Sequence, residues 1–459
     1  MFFLWAFLPI TIILYYIVPR KCRNVLLLFV SLFFYAWGEP VYVLLMIFSI
    51  IVNWILGILI EKYQRWNKTI LIFDVLFNLG LLGYFKYSGF LVETLNRIFN
   101  TEITIRAVSL PIGISFFTFQ ILSYVIDLYR GKYKAQHNII NLALYISFFP
   151  QLIAGPIVKY IDIEDQINNR VESFEKFSMG ARRFIYGLAK KVIIANTLAI
   201  PVDRIYSMDK TSLTGGIIWL VSIMYTFQIY YDFSGYSDMA IGLGRMFGFE
   251  FMENFNYPYM AKSIQDFWRR WHISLSTWFR EYVYIPLGGN KKGNIRTYIN
   301  LIIVFFVTGL WHGAGFTFIA WGLYHGFFSI IERLGLRKIL AKNKTIGMLY
   351  AFLIANFGWV LFRADTISQA LSFVKRMLIP WKYTIEMFVW QDYVPYISIF
   401  CLCLGVLGCG PIQELLSKVG TVKKLKNSYA EMLYCVVLFV LSISMLAANS
   451  YNPFIYFRF

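Results

Sequence analysis

Residues 255–326 read FNYPYMAKSIQDFWRRWHISLSTWFREYVYIPLGGNKKGNIRTYINLIIVFFVTGLWHGAGFTFIAWGLYHG, and they contain two patterns that together define the fold class. The first part alternates apolar and charged residues with a helical period. The second part is a long apolar run of the kind that crosses a bilayer. Three of the four histidines of the chain, His272, His312 and His325, also lie here. These patterns predict helices at or within a membrane.

The overall composition agrees with a membrane protein. Of 459 residues, 58% are hydrophobic and 15% are charged, whereas soluble domains average about 45–50% and about 25%. A water-solvated fold could not cover so much apolar surface, so we predict an all-α polytopic membrane protein. Residues 1–19 are apolar and precede the basic residues 20–23, the reverse of a cleaved secretory signal. They predict a retained helix with its N-terminus outside the cytoplasm.

Further apolar runs predict about 11–13 membrane-associated helices, some of them re-entrant. The runs are 24–37, 40–60, 69–85, 108–129, 184–200, 217–231, 297–311, 316–331, 346–362, 395–410 and 432–448. Residues 148–158 contain two prolines and predict a broken or re-entrant segment, and residues 86–106 predict a polar connection. Asp232 and Asp238 are expected to end one helix and cap the next. Because no repeat or long linker interrupts the sequence, we predict one domain over residues 1–459.

The formal net charge of +18 comes from short Lys and Arg clusters between apolar runs. The positive-inside rule explains such clusters, so residues 20–23, 61–68 and 130–134 are predicted to be cytoplasmic and no nucleic-acid partner is expected. A basic face also attracts anionic membrane lipids or a phosphate-bearing substrate, and composition does not separate these uses. The five cysteines form no C-x-x-C pair, so neither a metal site nor a disulfide framework is predicted.

Residues 263–283 predict a single amphipathic helix. Ser263, with Asp266 three residues later, resembles a capping box at its start. The apolar face would consist of Ile264, Phe267, Trp268, Trp271, Leu275, Trp278, Phe279 and Tyr282. Asp266 and Arg270 are spaced to pair on the opposite face, and His272 falls at the border. Such a helix lies at a membrane surface or lines a polar cavity.

The next apolar run follows the basic turn at Lys291 and Lys292 and ends at His312. An ionisable residue at membrane depth is by default a functional-site hypothesis, and imidazole suits proton transfer near neutral pH. A single histidine near a helix end is usually structural, but two in one compact stretch favour chemistry. His312 and His272 are therefore the predicted catalytic residues, whereas His325 is predicted to be structural and His137 solvated.

Several separated motifs resemble the membrane-bound O-acyltransferase family, in its branch that O-acetylates alginate and peptidoglycan. They are YAWGEP (35–40), PIGISFFTFQ (111–120), FFPQLIAGPI (148–157), YYDFSGYSDMAIG (230–242), FWRRWHISLS (267–276), TGLWHG (308–313) and NPFIYFRF (452–459). The D-alanyl transfer proteins are a more distant branch. The resemblance implies a ring of helices around a central funnel or tunnel. It also implies that His312 matches the family's active-site histidine and His272 the second motif histidine.

The resemblance further implies a function: acetyl groups pass from cytoplasmic acetyl-CoA across the bacterial cytoplasmic membrane to an extracytoplasmic polysaccharide. Acetyl-CoA would be a donor substrate rather than a bound cofactor, and an extracytoplasmic acetyltransferase would be the protein partner. The predicted substrate-binding residues are Trp268, Trp271, Trp311, Arg269, Arg270, Lys291, Lys292 and Asp232. A transporter or flippase without chemistry, a scaffold for a secreted transferase, and D-alanyl transfer to teichoic acid remain as alternatives. The acceptor polysaccharide stays open.

Overall fold

The computed structural model describes residues 2–104, 108–153, 155–209, 212–383, 389–412 and 428–448. Within these ranges the chain forms α-helices, joined by short 3₁₀ and π segments, and contains no β-strand. The predicted all-α class is confirmed. The chain divides into two compact units, Met1–Phe184 with Met239–Met252, and Ile185–Asp238 with Glu253–Phe459. The prediction of a single domain remains a prediction.

The first unit contains most of the amino-terminal helices. They are α1 Leu8–Ile17, α2 Arg23–Gly38, α3 Tyr42–Lys62, α4 Asn67–Phe99, α5 Ile114–Tyr129, α6 Ile139–Ser147 and α7 Tyr160–Asn169. The prediction of a polar connection from residue 86 is wrong as far as Phe99, because α4 continues to that residue. Apolar residues interleave the polar ones there, and the helix ends only where Asn100 adopts a left-handed conformation (φ 50°). Residues 149–153 form turns and not a helix, which agrees with the break predicted for residues 148–158, whereas a re-entrant path remains a prediction.

Two long helices, α8 Phe174–Ala189 and α10 Gly215–Met246, continue from one unit into the other. The prediction that Asp232 and Asp238 end one helix and cap the next is wrong, since α10 passes both without a break. Each carboxylate has a lysine partner in the π segment Lys190–Ala195, which extends α8. Lys191 pairs with Asp232, and Lys190 pairs with Asp238 at 2.7 Å. Because each carboxylate is paired with a lysine, both aspartates can lie inside a continuous helix.

The second unit contains the remaining helices. They are α9 Asn196–Tyr206, α11 Ile264–Arg270, α12 Ile273–Phe279, α13 Asn294–His312, α14 Phe316–Ile331, α15 Arg337–Leu340, α16 Lys344–Arg363, α17 Ile367–Leu378, α18 Tyr396–Gly408 and α19 Tyr429–Ala448. Helices α13 and α14 form an antiparallel hairpin with a close backbone contact. A Cβ added to Gly309 would overlap the carbonyl oxygen of Phe318, and one added to Gly322 would overlap that of Phe305. Small residues are how helices approach closely in membranes.

Six helical segments within the described ranges are long and apolar enough to cross a membrane. They are Tyr42–Lys62, Asn67–Phe99, Phe174–Tyr206, Asn294–His312, Lys344–Arg363 and Tyr429–Ala448. Three shorter apolar helices, Phe3–Ile17, Ile114–Tyr129 and Tyr396–Gly408, accompany them. A polytopic membrane protein is therefore confirmed, whereas the full number of membrane-associated helices remains a prediction.

Candidate active site

The predicted amphipathic helix is interrupted at His272, one of the two predicted catalytic residues. Helix α11 ends at Arg270 and α12 begins at Ile273, because His272 adopts a left-handed conformation with φ 45°. The prediction of one continuous helix over 263–283 is therefore wrong at this point. A non-glycine residue rarely adopts this conformation, and contacts from outside the helix must hold it. Asn254 supplies them, since its carbonyl oxygen accepts the Ile273 N–H at 2.9 Å.

The rest of the helical pattern is confirmed. The Ser263 side chain accepts the Asp266 N–H at 3.0 Å, and Arg270 Nε lies 3.0 Å from Asp266 Oδ1. Seven of the eight predicted apolar-face residues are buried, the exception being the partly buried Trp268. Apolar periodicity therefore persists across the break, which is why the sequence pattern does not reveal it.

Asn254 also determines the tautomer of His272, a side chain that is 0% exposed. The Oδ1 atom of Asn254 accepts the Ser274 N–H at 3.2 Å and the Ser274 hydroxyl at 2.9 Å, and it lies 3.2 Å from His272 Nδ1. The Nδ2 of Asn254 donates to Ser237 Oγ at 3.1 Å, and the Ser274 backbone N–H, which can only donate, identifies the other amide atom as the oxygen. Because Oδ1 only accepts, His272 Nδ1 carries the proton. The Nε2 atom is left with the lone pair that a base requires.

His312 is the last residue of α13 and is 6% exposed. Its ring centroid lies 6.5 Å from that of His272. Aromatic rings surround the pair: Trp311, Trp321 and Phe362 lie 5.0–5.3 Å from His312, and Phe233 lies 4.5 Å from His272. Burial lowers the pKa of His272, and the neighbouring ring of His312 lowers it further. His272 is therefore neutral at physiological pH.

The predicted tryptophans occupy successive shells around this pair. Trp311 lies 6.1 Å from the His272 ring, and Trp271 packs on Phe233, which touches His272. Trp268 packs against Trp321 at 5.6 Å, and Trp321 in turn contacts His312. The other named tryptophan, Trp278, packs against Tyr282 instead.

His325 and His137, which have no predicted catalytic role, lie in different environments. His325 is 0% exposed and stacks on Phe267, with Trp321 between it and His312. His137 is exposed in the first unit and lies 3.0 Å from Glu61. Both positions fit the predicted structural and solvated roles.

The predicted charged residues are not gathered at the histidines. Arg270 pairs with Asp266, Asp232 pairs with Lys191, and Lys291 and Lys292 are exposed in the turn before α13. Arg269 instead lines two cavities of 670 and 420 Å³. Cations that sequence reasoning did not select, Arg333, Arg337 and Lys338, line the larger cavity with it. The sequence pattern that could have identified them is the basic cluster directly after the apolar run 316–331.

Sequence comparison identifies the protein family. The sequence model of the membrane-bound O-acyltransferase family matches residues 133–364, a range that contains both catalytic candidates. The chain belongs to the membrane-bound O-acyltransferase family. It is therefore an acyl-transferring enzyme, which excludes the transporter alternative. The carboxyl-terminal motif at 452–459 lies outside the described residues.

Three proteins with different named activities are similar in sequence to this chain. A probable alginate O-acetylase of Pseudomonas putida is 41% identical over 100% of this chain and 99% of its own length. A peptidoglycan O-acetyltransferase of Helicobacter pylori is 39% identical, covering 82% of this chain and 78% of its own. A teichoic acid D-alanyltransferase of Bacillus subtilis is 28% identical, covering 55% of this chain and 68% of its own.

Proposed function

We propose that this membrane-bound O-acyltransferase moves acetyl groups from cytoplasmic acetyl-CoA across the cytoplasmic membrane for O-acetylation of an extracytoplasmic polysaccharide. The observation that carries the proposal is the pair of buried imidazoles, His272 and His312, with centroids 6.5 Å apart inside an aromatic shell. A water-poor site of this kind protects a thioester from hydrolysis and strengthens the electrostatics of proton transfer.

In this proposal, each of the two imidazoles has its own role. His312 would take the proton of the accepting hydroxyl as its oxygen attacks the thioester carbonyl. The carbon–oxygen ester bond forms, the carbon–sulfur bond breaks, and the coenzyme leaves as a thiol that carries the proton from His312. His272, neutral and with Nε2 unprotonated, would orient the acetyl group or relay that proton. No step requires a metal ion.

The similar proteins support an acetyl group as the transferred group and a polysaccharide as the acceptor. The alginate and peptidoglycan enzymes match 100% and 82% of this chain, whereas the D-alanyl enzyme matches 55% at lower identity. Acetyl transfer to a sugar hydroxyl is therefore favoured over D-alanyl transfer. An extracytoplasmic acetyltransferase would receive the acetyl group and complete the transfer to the polysaccharide.

Substitution of His312 tests the proposal. In proteoliposomes supplied with labelled acetyl-CoA, His312→Ala should lower acetyl transfer by about 10²–10⁴-fold, the contribution of a positioned general base. His137→Ala is the matched control, since that side chain is exposed and lies in the first unit, and it should transfer acetyl at the wild-type rate. Full activity in His312→Ala, at equal membrane insertion, would contradict the proposal.

A further inference from the structure

Helix α4 of the first unit buries two polar side chains at membrane depth. Its buried residues are Asp74, Asn78 and Leu82, which follow one another at intervals of four and share one face. Helices α3 and α4 are both long and apolar enough to cross a membrane. Asp74 lies seven residues after the start of α4 at Asn67, which is roughly 10 Å at a rise of about 1.5 Å per residue. An ionisable side chain at such a depth is a candidate functional site, and the histidine chemistry of the second unit does not use it.

Two asparagines surround Asp74 with hydrogen bonds of defined orientation. The Nδ2 of Asn78 donates to the Asp74 backbone carbonyl at 2.9 Å and to Asp74 Oδ1 at 2.6 Å. On α3, Asn53 Nδ2 donates to the Ser49 backbone carbonyl at 2.7 Å. Because a backbone carbonyl only accepts, these bonds determine the orientation of both amides. The amides also pair with each other, since Asn78 Nδ2 donates to Asn53 Oδ1 at 2.8 Å and Asn53 Nδ2 donates to Asn78 Oδ1 at 3.2 Å.

The carboxyl group of Asp74 lies in surroundings that favour its neutral form. The side chain is 0% exposed, and among the described residues its Oδ2 atom has no hydrogen-bond partner, while Oδ1 bonds to the neutral amide of Asn78. A buried carboxylate without a cation is far more costly than a neutral carboxyl. Asp127 on α5 shows the contrast, because its equally buried carboxylate lies 3.0 Å from Lys132 and 3.3 Å from Arg130. These environments favour a proton on Asp74 and a charge on Asp127.

The free atoms of this cluster match a proton and not a metal ion. Ions such as Ca²⁺ and Mg²⁺ take about six or more oxygen ligands. The amide oxygens of Asn53 and Asn78 already accept N–H groups, which leaves Asp74 Oδ2 as the available oxygen. In a carboxylic acid, one oxygen accepts and the other carries the hydrogen. Asp74 Oδ1 accepts from Asn78, so Oδ2 is the atom that would carry the proton.

A stripe of polar and small residues leads along α3 to this site. Residues at intervals of four share one face of a helix, and on this face of α3 they are Ser49, Asn53, Gly57 and Glu61. Glu61 belongs to the basic segment 61–68, which is predicted to face the cytoplasm. The Tyr124 hydroxyl of α5 packs on Gly57, where an added Cβ would lie 3.1 Å from it. Tyr124 is within electrostatic reach of both Glu61 and Asp74, and these are the titratable groups that α3 and α5 bring to the site. The stripe offers a proton a route from the cytoplasmic end of α3.

We propose that Asp74 is a reversible proton-binding site, protonated at neutral pH, whose proton loss separates the amide pair between α3 and α4. On release, the Oδ2–H bond breaks, its electron pair stays on the oxygen, and the proton passes to water at the cytoplasmic end of α3. The carboxylate that remains has no cation beside it and must draw in water. Water at Asp74 competes with the hydrogen bond from Asn78, and the α3–α4 contact opens. This inference does not depend on the acetyl transfer proposed above.

Infrared spectroscopy of the full-length protein in lipid bilayers tests for the proton. A protonated carboxyl group has a C=O stretching band that a carboxylate lacks, so the wild-type spectrum minus that of Asp74→Asn should contain this band at pH 7. The band should shift in D₂O and should disappear reversibly between pH 7 and pH 10. Asp127→Asn is the matched control, and the same subtraction should give no such band because the Asp127 carboxylate is paired with Lys132. A missing Asp74 band at pH 7 would overturn the proposal, as would a band that persists at pH 10.

Dicyclohexylcarbodiimide checks the wild-type chain without any substitution. This apolar reagent adds to a protonated carboxyl group: the acid proton moves to a carbodiimide nitrogen, and the carboxyl oxygen bonds to the central carbon. Peptide mass mapping should find the adduct on Asp74 at pH 6.5 and less of it at pH 9. An adduct on Asp127 in the absence of one on Asp74 would contradict the assignment.

Amide hydrogen exchange tests whether proton loss opens the α3–α4 contact. At pH 9.5, backbone amides of residues 49–57 and 74–82 should exchange about tenfold faster in the wild type than in Asp74→Asn, which stays neutral. At pH 6.5 the two proteins should exchange at the same rate. Comparison at equal pH removes the effect of pH on the exchange chemistry itself. Equal rates at both pH values would overturn the proposed opening.

Discussion

At the scale of single residues, the site depends on an amide that is not part of any recognised motif. Asn254 accepts three hydrogen bonds through one oxygen, and that oxygen leaves His272 with an unprotonated Nε2. Buried polar groups held in this way specify one arrangement because every alternative leaves an unsatisfied atom. Asn254 is therefore the residue that sets the tautomer of His272.

Substitution of Asn254 by Asp should change the pH dependence of acetyl transfer. In the wild type, burial keeps the pKa of His272 below its ordinary value of 6.5, so the acidic limb of activity should lie below pH 6.5. A carboxylate beside Nδ1 stabilises the imidazolium and raises that pKa, so the limb should move to higher pH by about 1 unit or more. Rates measured between pH 4.5 and 8 report the shift.

The exposed neighbour Asn256 provides the matched control, because Asn256→Asp adds the same charge at a position without a His272 contact. Its pH profile should coincide with that of the wild type. An Asn254→Asp profile that also coincides would remove His272 from the proton-transfer step.

The sequence predicted His312 and His272 but not Asn254, and the reason is physical. An imidazole at the end of an apolar run is conspicuous because polar groups at membrane depth are costly. Asn254 lies 18 residues before His272, and the turn through Tyr257 (φ 45°) brings the two together. Only tertiary structure reveals a contact of this kind.

At the scale of helices, periodicity identified the elements but not their breaks and extensions. The α11–α12 break at His272 preserves the buried face, so no change of pattern marks it. Conversely, Asp232 and Asp238 suggested a helix end that the pairing with Lys191 and Lys190 makes unnecessary. In both cases a tertiary partner overrides the local preference, and the partner is distant in sequence.

The α13–α14 contact leads to a prediction about helix packing. Gly322→Ala places a methyl group against the Phe305 carbonyl, so the hairpin must open and carry His312 with it. Overpacking of this kind typically costs about 1–3 kcal/mol. A lower thermal unfolding midpoint in detergent, together with reduced acetyl transfer, is the expected result.

The control for that variant is Gly83→Ala in α4, where an added methyl group meets nothing within 4 Å. Alanine there should leave the midpoint unchanged or raise it slightly, because alanine favours a helix over glycine by about 1 kcal/mol. Equal thermal unfolding midpoints for the two variants would show that the α13–α14 contact has room for a methyl group.

At the scale of the whole molecule, the basic clusters predict which end of a membrane-spanning helix faces the cytoplasm. Helix α16 runs from Lys344 to Arg363, and its 20 residues span about 30 Å, the thickness of the hydrocarbon core. Arg337, Lys338 and Lys342 precede it, whereas Asp365 follows it. The positive-inside rule therefore predicts that the start of α16, and with it the 670 Å³ cavity lined by Arg333, Arg337 and Lys338, faces the cytoplasm.

Cysteine labelling tests this orientation directly. In a background with Cys22, Cys403 and Cys409 replaced by serine, Asp365→Cys should react with a membrane-impermeant maleimide in intact spheroplasts. Lys344→Cys should react only after the membrane is permeabilised, because its end of α16 faces the cytoplasm. Both positions are exposed, so unequal reagent access should reflect the side of the membrane. If Lys344→Cys reacts in intact spheroplasts, the start of α16 faces away from the cytoplasm, and the orientation predicted by the positive-inside rule is wrong.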